Sequence, residues 1–184
     1  MNAVKTLIIN CSPVRGGATA YFASLAAEEL KGSGEVKAVC IDDFDFSFCL
    51  GCRSCHKTAR CVTEDGVQQL VSLIGQADRL ICISPSYWAD VPGQFKAFID
   101  RCTPWCNTHT PHASVGSGKK GLTIVLRTGP NMKECERLIF TVEHFYGHME
   151  IEPCGSLGLC GVEDRSDAEA RADEVREFLS SVTW

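Results

Sequence analysis

Four cysteines, Cys49, Cys52, Cys55 and Cys61, stand in the spacing C-x2-C-x2-C-x5-C within C-L-G-C-R-S-C-H-K-T-A-R-C. Thiolates this close along a loop can converge on one small centre. Three chemistries are open to them. They could ligate an iron-sulfur cluster, remain uncoordinated thiols, or bind zinc with His56 as a spare ligand, although the two separated knuckles of a structural zinc site are missing.

A second candidate lies near the start, where Thr6 to Ala20 reads T-L-I-I-N-C-S-P-V-R-G-G-A-T-A. Leu7, Ile8 and Ile9 form the short apolar run of a strand buried on both faces, and it stops at Asn10-Cys11-Ser12-Pro13. Gly16 and Gly17 permit a tight turn and a close backbone approach, and Thr19 opens a helix whose body is Tyr21 to Leu30. Strand, polar loop and helix in this order favour an anion at the helix N-terminus, with hydroxyls from Ser12 and Thr19 and a charge from Arg15. No G-x-x-x-x-G-K-[ST] is present, which excludes a P-loop, and no G-x-G-x-x-G follows this strand, which argues against a dinucleotide site. A monophosphate group fits best.

The third stretch is S-P-S-Y-W-A-D-V-P-G-Q-F-K-A-F-I-D-R, residues 84 to 101. Pro85 to Ala89 offers a flat apolar and aromatic wall with backbone polar groups nearby, as a planar ring requires; the plainer alternative is that Tyr87 and Trp88 cover the end of a sheet.

These stretches need a frame to hold them. Glu35 to Ile41 alternates as a second strand, Arg79 to Ile83 is a third buried strand, Gly121 to Arg127 a fourth, and Met149 to Pro153 a short fifth. Helices are expected from a Glu64 or Asp65 cap to about Gln76, from Pro92 to Cys102, from Met132 to Tyr146, and as one amphipathic helix from Ser166 to Val182. Thr103 to Lys120 is polar and irregular, a candidate lid or surface loop. Strands alternating with helices predict an α/β fold with a parallel sheet covered on both faces. Five strands suit the order 2-1-3-4-5, in which ligands bind at the carboxyl ends of strands 1 and 3. The loops at Ser12 and Ser84 follow those two strands.

The 184 residues suit a single domain, 1–184, and the net charge of −5 with no basic run argues against nucleic acid or an anionic membrane surface as partner. No signal peptide and no membrane-spanning apolar run are visible, so a cytoplasmic protein is expected. Twelve cysteines in a reducing compartment point to metal, cluster or redox chemistry before a disulfide framework. Cys11, Cys40 and Cys82 lie in or beside apolar strands and read as small core residues; Cys102 and Cys106 read as unpaired thiols on a turn, and His109 and His112 as solvated side chains.

At its first loop the chain resembles the flavodoxin-like NAD(P)H-dependent FMN reductases, whose loop reads approximately G-S-P-R-x-x-G-N-T. Ser12, Pro13, Gly17 and Thr19 match; Val14 stands where that family has arginine, and Ala18 replaces its asparagine. The second signature, S-P-x-Y-x-x-x-x-x-x-x-L-K-x-F-I-D-R, is matched at Ser84, Pro85, Tyr87, Lys96, Phe98, Ile99, Asp100 and Arg101; Phe95 replaces leucine, and Asp90 stands where small residues are usual. The cysteine spacing resembles that of the iron-sulfur flavoproteins, flavodoxin-like FMN proteins with a [4Fe-4S] cluster. Related reductases carry the same segment with no known cluster, so cluster, free thiols and zinc remain open.

The resemblance implies a flavodoxin-like three-layer fold and FMN as cofactor. Ser12, Val14, Arg15, Gly17, Ala18 and Thr19 would hold the phosphate, with Arg15 as its cation. Pro85, Ser86, Tyr87, Trp88 and Ala89 would face the flavin ring, joined by Thr128 and Gly129 after the fourth strand. Lys96 and Asp100-Arg101 read as structural, on a helix surface and in ion pairing. The flavin would carry the chemistry, so no catalytic side chain is implied. The implied function is an FMN-dependent oxidoreductase passing electrons from NAD(P)H to a quinone, a flavin or another small acceptor. The competing class is a non-enzymatic electron carrier or redox sensor with a cluster at Cys49, Cys52, Cys55 and Cys61. A homodimer or tetramer is implied as well.

Overall fold

The computed structural model describes residues 3–184. Five strands form one parallel sheet in the order β2-β1-β3-β4-β5, the expected order: β1 (Lys5–Asn10), β2 (Glu35–Cys40), β3 (Arg79–Pro85), β4 (Lys119–Arg127) and β5 (Ile151–Cys160). The helices are α1 (Ala18–Leu30), α2 (Cys55–Thr58), α3 (Gly66–Gln76), α4 (Gly93–Arg101), α5 (Met132–His148), α6 (Arg165–Ala170) and α7 (Ala172–Ser181). No described helix is long and apolar enough to cross a membrane.

The period of two along each strand divides the core into two layers. Leu7, Ile9, Leu80, Cys82 and Val125 face α3, α4 and α5, where they meet Leu70, Phe95, Phe98 and Phe145. Ile8, Ile81, Ile83, Leu122 and Ile124 point the other way, against Phe22 and Leu25 of α1 and Val175 and Leu179 of α7. Cys11 and Cys82 are fully buried, as expected of small core residues, whereas Cys40 is half-buried.

Tyr146 of α5 is inserted into the sheet. Its hydroxyl donates to the Leu122 carbonyl at 2.7 Å and accepts from the Cys82 amide at 3.1 Å. A Cβ on Gly121 would lie 2.7 Å from the tyrosine ring, so the absence of a side chain there makes room for it. The register of β4 against β5 shifts at Gly121/Leu122.

Three elements differ from the sequence expectation. Strand β5 runs to Cys160, well past Pro153. The C-terminal helix is two helices broken at Arg171, whose guanidinium donates to the Cys160 carbonyl at 2.8 Å. The cysteine segment contains the short helix α2, closed at Ala59 in the left-handed region at φ 55°.

Candidate functional site

The carboxyl ends of β1, β3 and β4 open onto one cleft of about 170 Å³. Its wall is formed by Ser12, Val14, Gly17, Ala18 and Thr19 from the first loop and helix, Pro85, Ser86 and Tyr87 from the second, and Leu126, Arg127 and Thr128 from the third, with Val162 and Glu163 closing the β5 side. Thus nine of the thirteen residues singled out from the sequence meet at one site: Ser12, Val14, Gly17, Ala18, Thr19, Pro85, Ser86, Tyr87 and Thr128. Arg15, Trp88, Ala89 and Gly129 lie outside this wall.

The first loop is held from within. Asn10 accepts from the Ser12 amide at 3.1 Å, and the Ser12 hydroxyl accepts from the Val14 amide at 3.1 Å. Helix α1 begins at an N-cap glycine, Gly17, which has no side chain to satisfy the first-turn amides. Amides of a first turn have no carbonyl partner within their own helix, so they face the cleft as donors beside the buried hydroxyl of Thr19. A Cβ on Gly17 would lie 3.1 Å from Cγ1 of Val14, so the loop closes against the glycine itself. Arg15 points elsewhere: it pairs with Asp43 at 2.5 Å and Asp42 at 3.3 Å, at the end of β2. Those carboxylates raise the arginine pKa, the Asp43 hydrogen bond most of all.

The second loop is a two-residue hairpin. Tyr87 and Asp90 exchange both backbone hydrogen bonds, at 2.8 and 3.1 Å, and the residues between them, Trp88 and Ala89, are both left-handed, at φ 54° and 59°. Turns of this kind are normally Asn-Gly, because both central residues need positive φ. Here a bulky indole occupies the first position and is fully exposed.

Behind the cleft runs a polar network absent from the sequence reading. Glu134 of α5 pairs with Arg127 at 2.5 Å and accepts a hydrogen bond from the Ser86 hydroxyl. Arg127 also donates to the Asn131 carbonyl at 3.1 Å, and its Nε is buried with no partner among the described residues. Gly129 stands directly against the Arg127 guanidinium, where any side chain would collide with it. Arg127 immediately precedes Thr128 at the end of β4 and was within reach of sequence reasoning. Val162 and Glu163 were not, because β5 was expected to end at Pro153.

The four motif cysteines share a second, smaller cavity of about 30 Å³, bordered also by Phe48, Thr63 and Arg101. Burial raises the Cys55 pKa, and the charges of Cys49, Cys52 and Cys61 raise it further. Cys52 is fully exposed, and hydrogen bonds from the Ser54 amide and hydroxyl lower its pKa. Among the described residues no three His, Cys, Asp or Glu side chains already converge at metal-binding geometry, so common ligation requires these thiols to turn inward. Arg101, expected on a helix surface, is instead buried, whereas Lys96 and Asp100 form the exposed surface pair at 2.5 Å. His109 stacks on His56 at 4.3 Å and is half-buried, not freely solvated.

Residues 4–150 match the model of the NADPH-dependent FMN reductase family. An iron-sulfur flavoprotein of Archaeoglobus fulgidus is 33% identical over 132 residues, which is 71% of this chain and 58% of that protein. An iron-sulfur flavoprotein of Clostridioides difficile is 33% identical over 100 residues, 51% of this chain and 44% of that one. The chain thus spans about half the length of these curated relatives. Among solved structures, the NAD(P)H:quinone oxidoreductase from Methanothermobacter marburgensis superposes with a TM-score of 0.73 at 15% identity, covering 95% of this chain and 94% of that one. An FMN-dependent NADH-azoreductase from Bacillus anthracis, in complex with FMN, gives a TM-score of 0.64 at 16% identity, covering 96% and 98%. These two likenesses concern the fold.

Proposed function

The chain belongs to the NADPH-dependent FMN reductase family, and on that premise we propose that it is an FMN-dependent oxidoreductase using NAD(P)H and a small acceptor such as a quinone or a flavin. The observation that carries this reading is the cleft at the strand ends, where first-turn amides of α1 and the Thr19 hydroxyl meet the Pro85–Tyr87 wall. The donor set suits a phosphate monoester at one end and a flat ring at the other. Arg127 lines the cleft beside this wall, its guanidinium held by Glu134.

When bound, FMN supplies the exchange of electrons between a nicotinamide and the acceptor. The protein's part is to bind and orient. Ser12, Val14, Gly17, Ala18 and Thr19 would hold the phosphate, and Arg15 braces the loop from outside through Asp42 and Asp43. Pro85, Ser86 and Tyr87, with Thr128, form the ring wall; Trp88 and Ala89 set its edge, and Gly129 keeps Arg127 in place. No side chain is needed as a catalytic acid or base.

The second reading, an electron carrier or sensor with a cluster at Cys49, Cys52, Cys55 and Cys61, is favoured by their common cavity and by the thiolate donor set. Phe48, Leu50 and Val62 are exposed around that cavity, and Trp88 stands beside the flavin cleft. Apolar side chains so exposed suit burial by a second copy of the chain, in a homodimer or tetramer.

Titration with FMN and riboflavin, followed by anaerobic mixing with NADH and NADPH, tests the favoured reading. Preference for FMN, weakened by Thr19→Ala for FMN more than for riboflavin, and bleaching by a nicotinamide are the expected results. Equal binding of FMN and riboflavin would remove the phosphate site. Bound FMN that neither nicotinamide reduces would leave the carrier reading.

A further inference from the structure

Arg101 closes α4, the helix that runs directly from the ring-wall loop to the cysteine segment. Its side chain is only 1% exposed, and a buried charge survives only when its hydrogen bonds are made. Nη1 donates to the Ser47 carbonyl at 2.8 Å and to Asp65 Oδ2 at 2.8 Å, while Nη2 donates to the Thr63 carbonyl at 3.0 Å and to Asp65 Oδ1 at 3.1 Å. Ser47 lies two residues before Cys49, and Thr63 lies two residues after Cys61. One guanidinium therefore ties together both stems of the cysteine loop.

Nε is the guanidinium nitrogen left over, buried with no acceptor among the described residues. Arg101 borders the cavity that the four thiols share, so the acceptors nearest in kind are sulfur atoms. Cys61 and Arg101 face the same cavity.

We propose that Arg101 is a positioning residue of the cysteine centre, its Nε–H donating to the Cys61 sulfur when that thiolate ligates a cluster, and its charge favouring the reduced state. The assignment rests on the cluster reading given above. Hydrogen bonds to the sulfurs and local net charge set the potential of such centres, and a donor with a positive charge moves it upward. The same helix connects this residue to the flavin wall, so the potential of one centre is built into the element that carries the other.

The test uses the full chain, loaded anaerobically with iron and sulfide. Equal iron and acid-labile sulfide are expected in wild type and in Arg101→Lys, which keeps a cation opposite Asp65 but loses Nε. A more negative reduction potential in the variant supports the assignment. Because a change at a buried arginine can disturb folding, a second measurement leaves Arg101 intact. The chain is labelled with 15N-arginine in an Arg53→Lys, Arg60→Lys background, and the reduced cluster is examined by pulsed EPR for coupling to 15N. Coupling supports the donor. Loaded protein with an unchanged potential or with no 15N coupling overturns the role of Arg101 and leaves the cluster reading standing. Wild type that binds no iron and sulfide overturns the cluster reading, and the assignment with it.

Discussion

Asp65 accepts from both terminal nitrogens of Arg101, at 2.8 and 3.1 Å, and also caps α3 through the Val67 amide at 3.2 Å. One carboxylate thereby joins the start of α3, the end of α4 and, through the Ser47 amide at 3.2 Å, the entry to the cysteine loop. Burial pushes its pKa up, but Arg101 and the Ser47 and Val67 amides more than offset this and hold it below the usual range. Asp65→Asn keeps a capping oxygen and removes the charge, so the loss measures the ion pair. Breaking a pair around a buried guanidinium costs about 3 kcal/mol, and urea unfolding is expected to show it as a lower midpoint. The pH dependence has a definite sign. A depressed folded pKa contributes stability that is fully present above the unfolded aspartate value of ~3.9 and is lost as pH falls through the folded value. Wild type and Asp65→Asn should therefore differ by the full amount above about pH 4 and converge as pH falls below it. A constant gap across that window would place the loss in packing, not in the pair.

Trp88 is expected to trade stability for function. It combines full exposure with a φ of 54°, a conformation that L residues with side chains occupy at a cost of order 1 kcal/mol or more. Trp88→Gly removes that strain but also loosens the unfolded chain, so a net gain of about 0.5 kcal/mol is expected in thermal or urea unfolding. Assembly, measured by sedimentation, or affinity for FMN should fall in the same variant. A variant that gains stability and loses neither would make the exposed indole a surface accident.

Gly129 is predicted to matter without touching the cleft. Gly129→Ala drives a methyl group into the Arg127 guanidinium and forces it from Glu134, which also holds the Ser86 hydroxyl. Losing one charge-assisted hydrogen bond corresponds to about 1.5 kcal/mol, or roughly tenfold in FMN affinity. Glu134→Gln should weaken binding in the same direction through the same pair of residues. Unchanged FMN titrations in both variants would separate Arg127 from the flavin.

Tyr146→Phe isolates the sheet from the site. Without the hydroxyl, the Cys82 amide and the Leu122 carbonyl each lose a buried partner. An unsatisfied buried group costs about 1–3 kcal/mol, so the unfolding midpoint should drop while FMN affinity stays near wild type.

Where burial is two-sided, local sequence was enough: Leu7 to Ile9 and Leu80 to Ile83 are apolar at every position because helices cover both faces. Edge strand β5 hid for the opposite reason. Gly155 and Gly158 interrupt its pattern, yet both are packing requirements, since a Cβ would lie 3.1 Å from Leu122 and 2.9 Å from Cys135 respectively. The cleft was legible at its two loops because glycine, hydroxyl and aromatic residues sit directly after β1 and β3. The direction of Arg15 was not, because Asp42 and Asp43 reach it only once β2 lies beside β1. Arg101 read as a surface residue because its partners, Ser47, Thr63 and Asp65, lie at least 36 positions away along the chain.

The cysteines offer a chemical test that needs no substitution. Thiolates react and thiols do not, so alkylation rates follow pKa and exposure together. Cys52 is exposed, and the Ser54 amide and hydroxyl lower its pKa, so it should be modified first. Cys55, raised by burial and by its neighbours, should follow more slowly. Cys11 and Cys102 are buried and shifted well upward by desolvation, and Cys135 is pushed up to about 12 by burial and by Cys160. These three should resist a soluble alkylating reagent at pH 8 until the chain unfolds. Timed mass spectrometry of peptides from the iron-free protein gives the order directly. Iron and sulfide loading should then protect Cys49, Cys52, Cys55 and Cys61 together while leaving Cys106 reactive. Protection of fewer than all four, or rapid modification of Cys135 in folded protein, would contradict the arrangement of thiols described here.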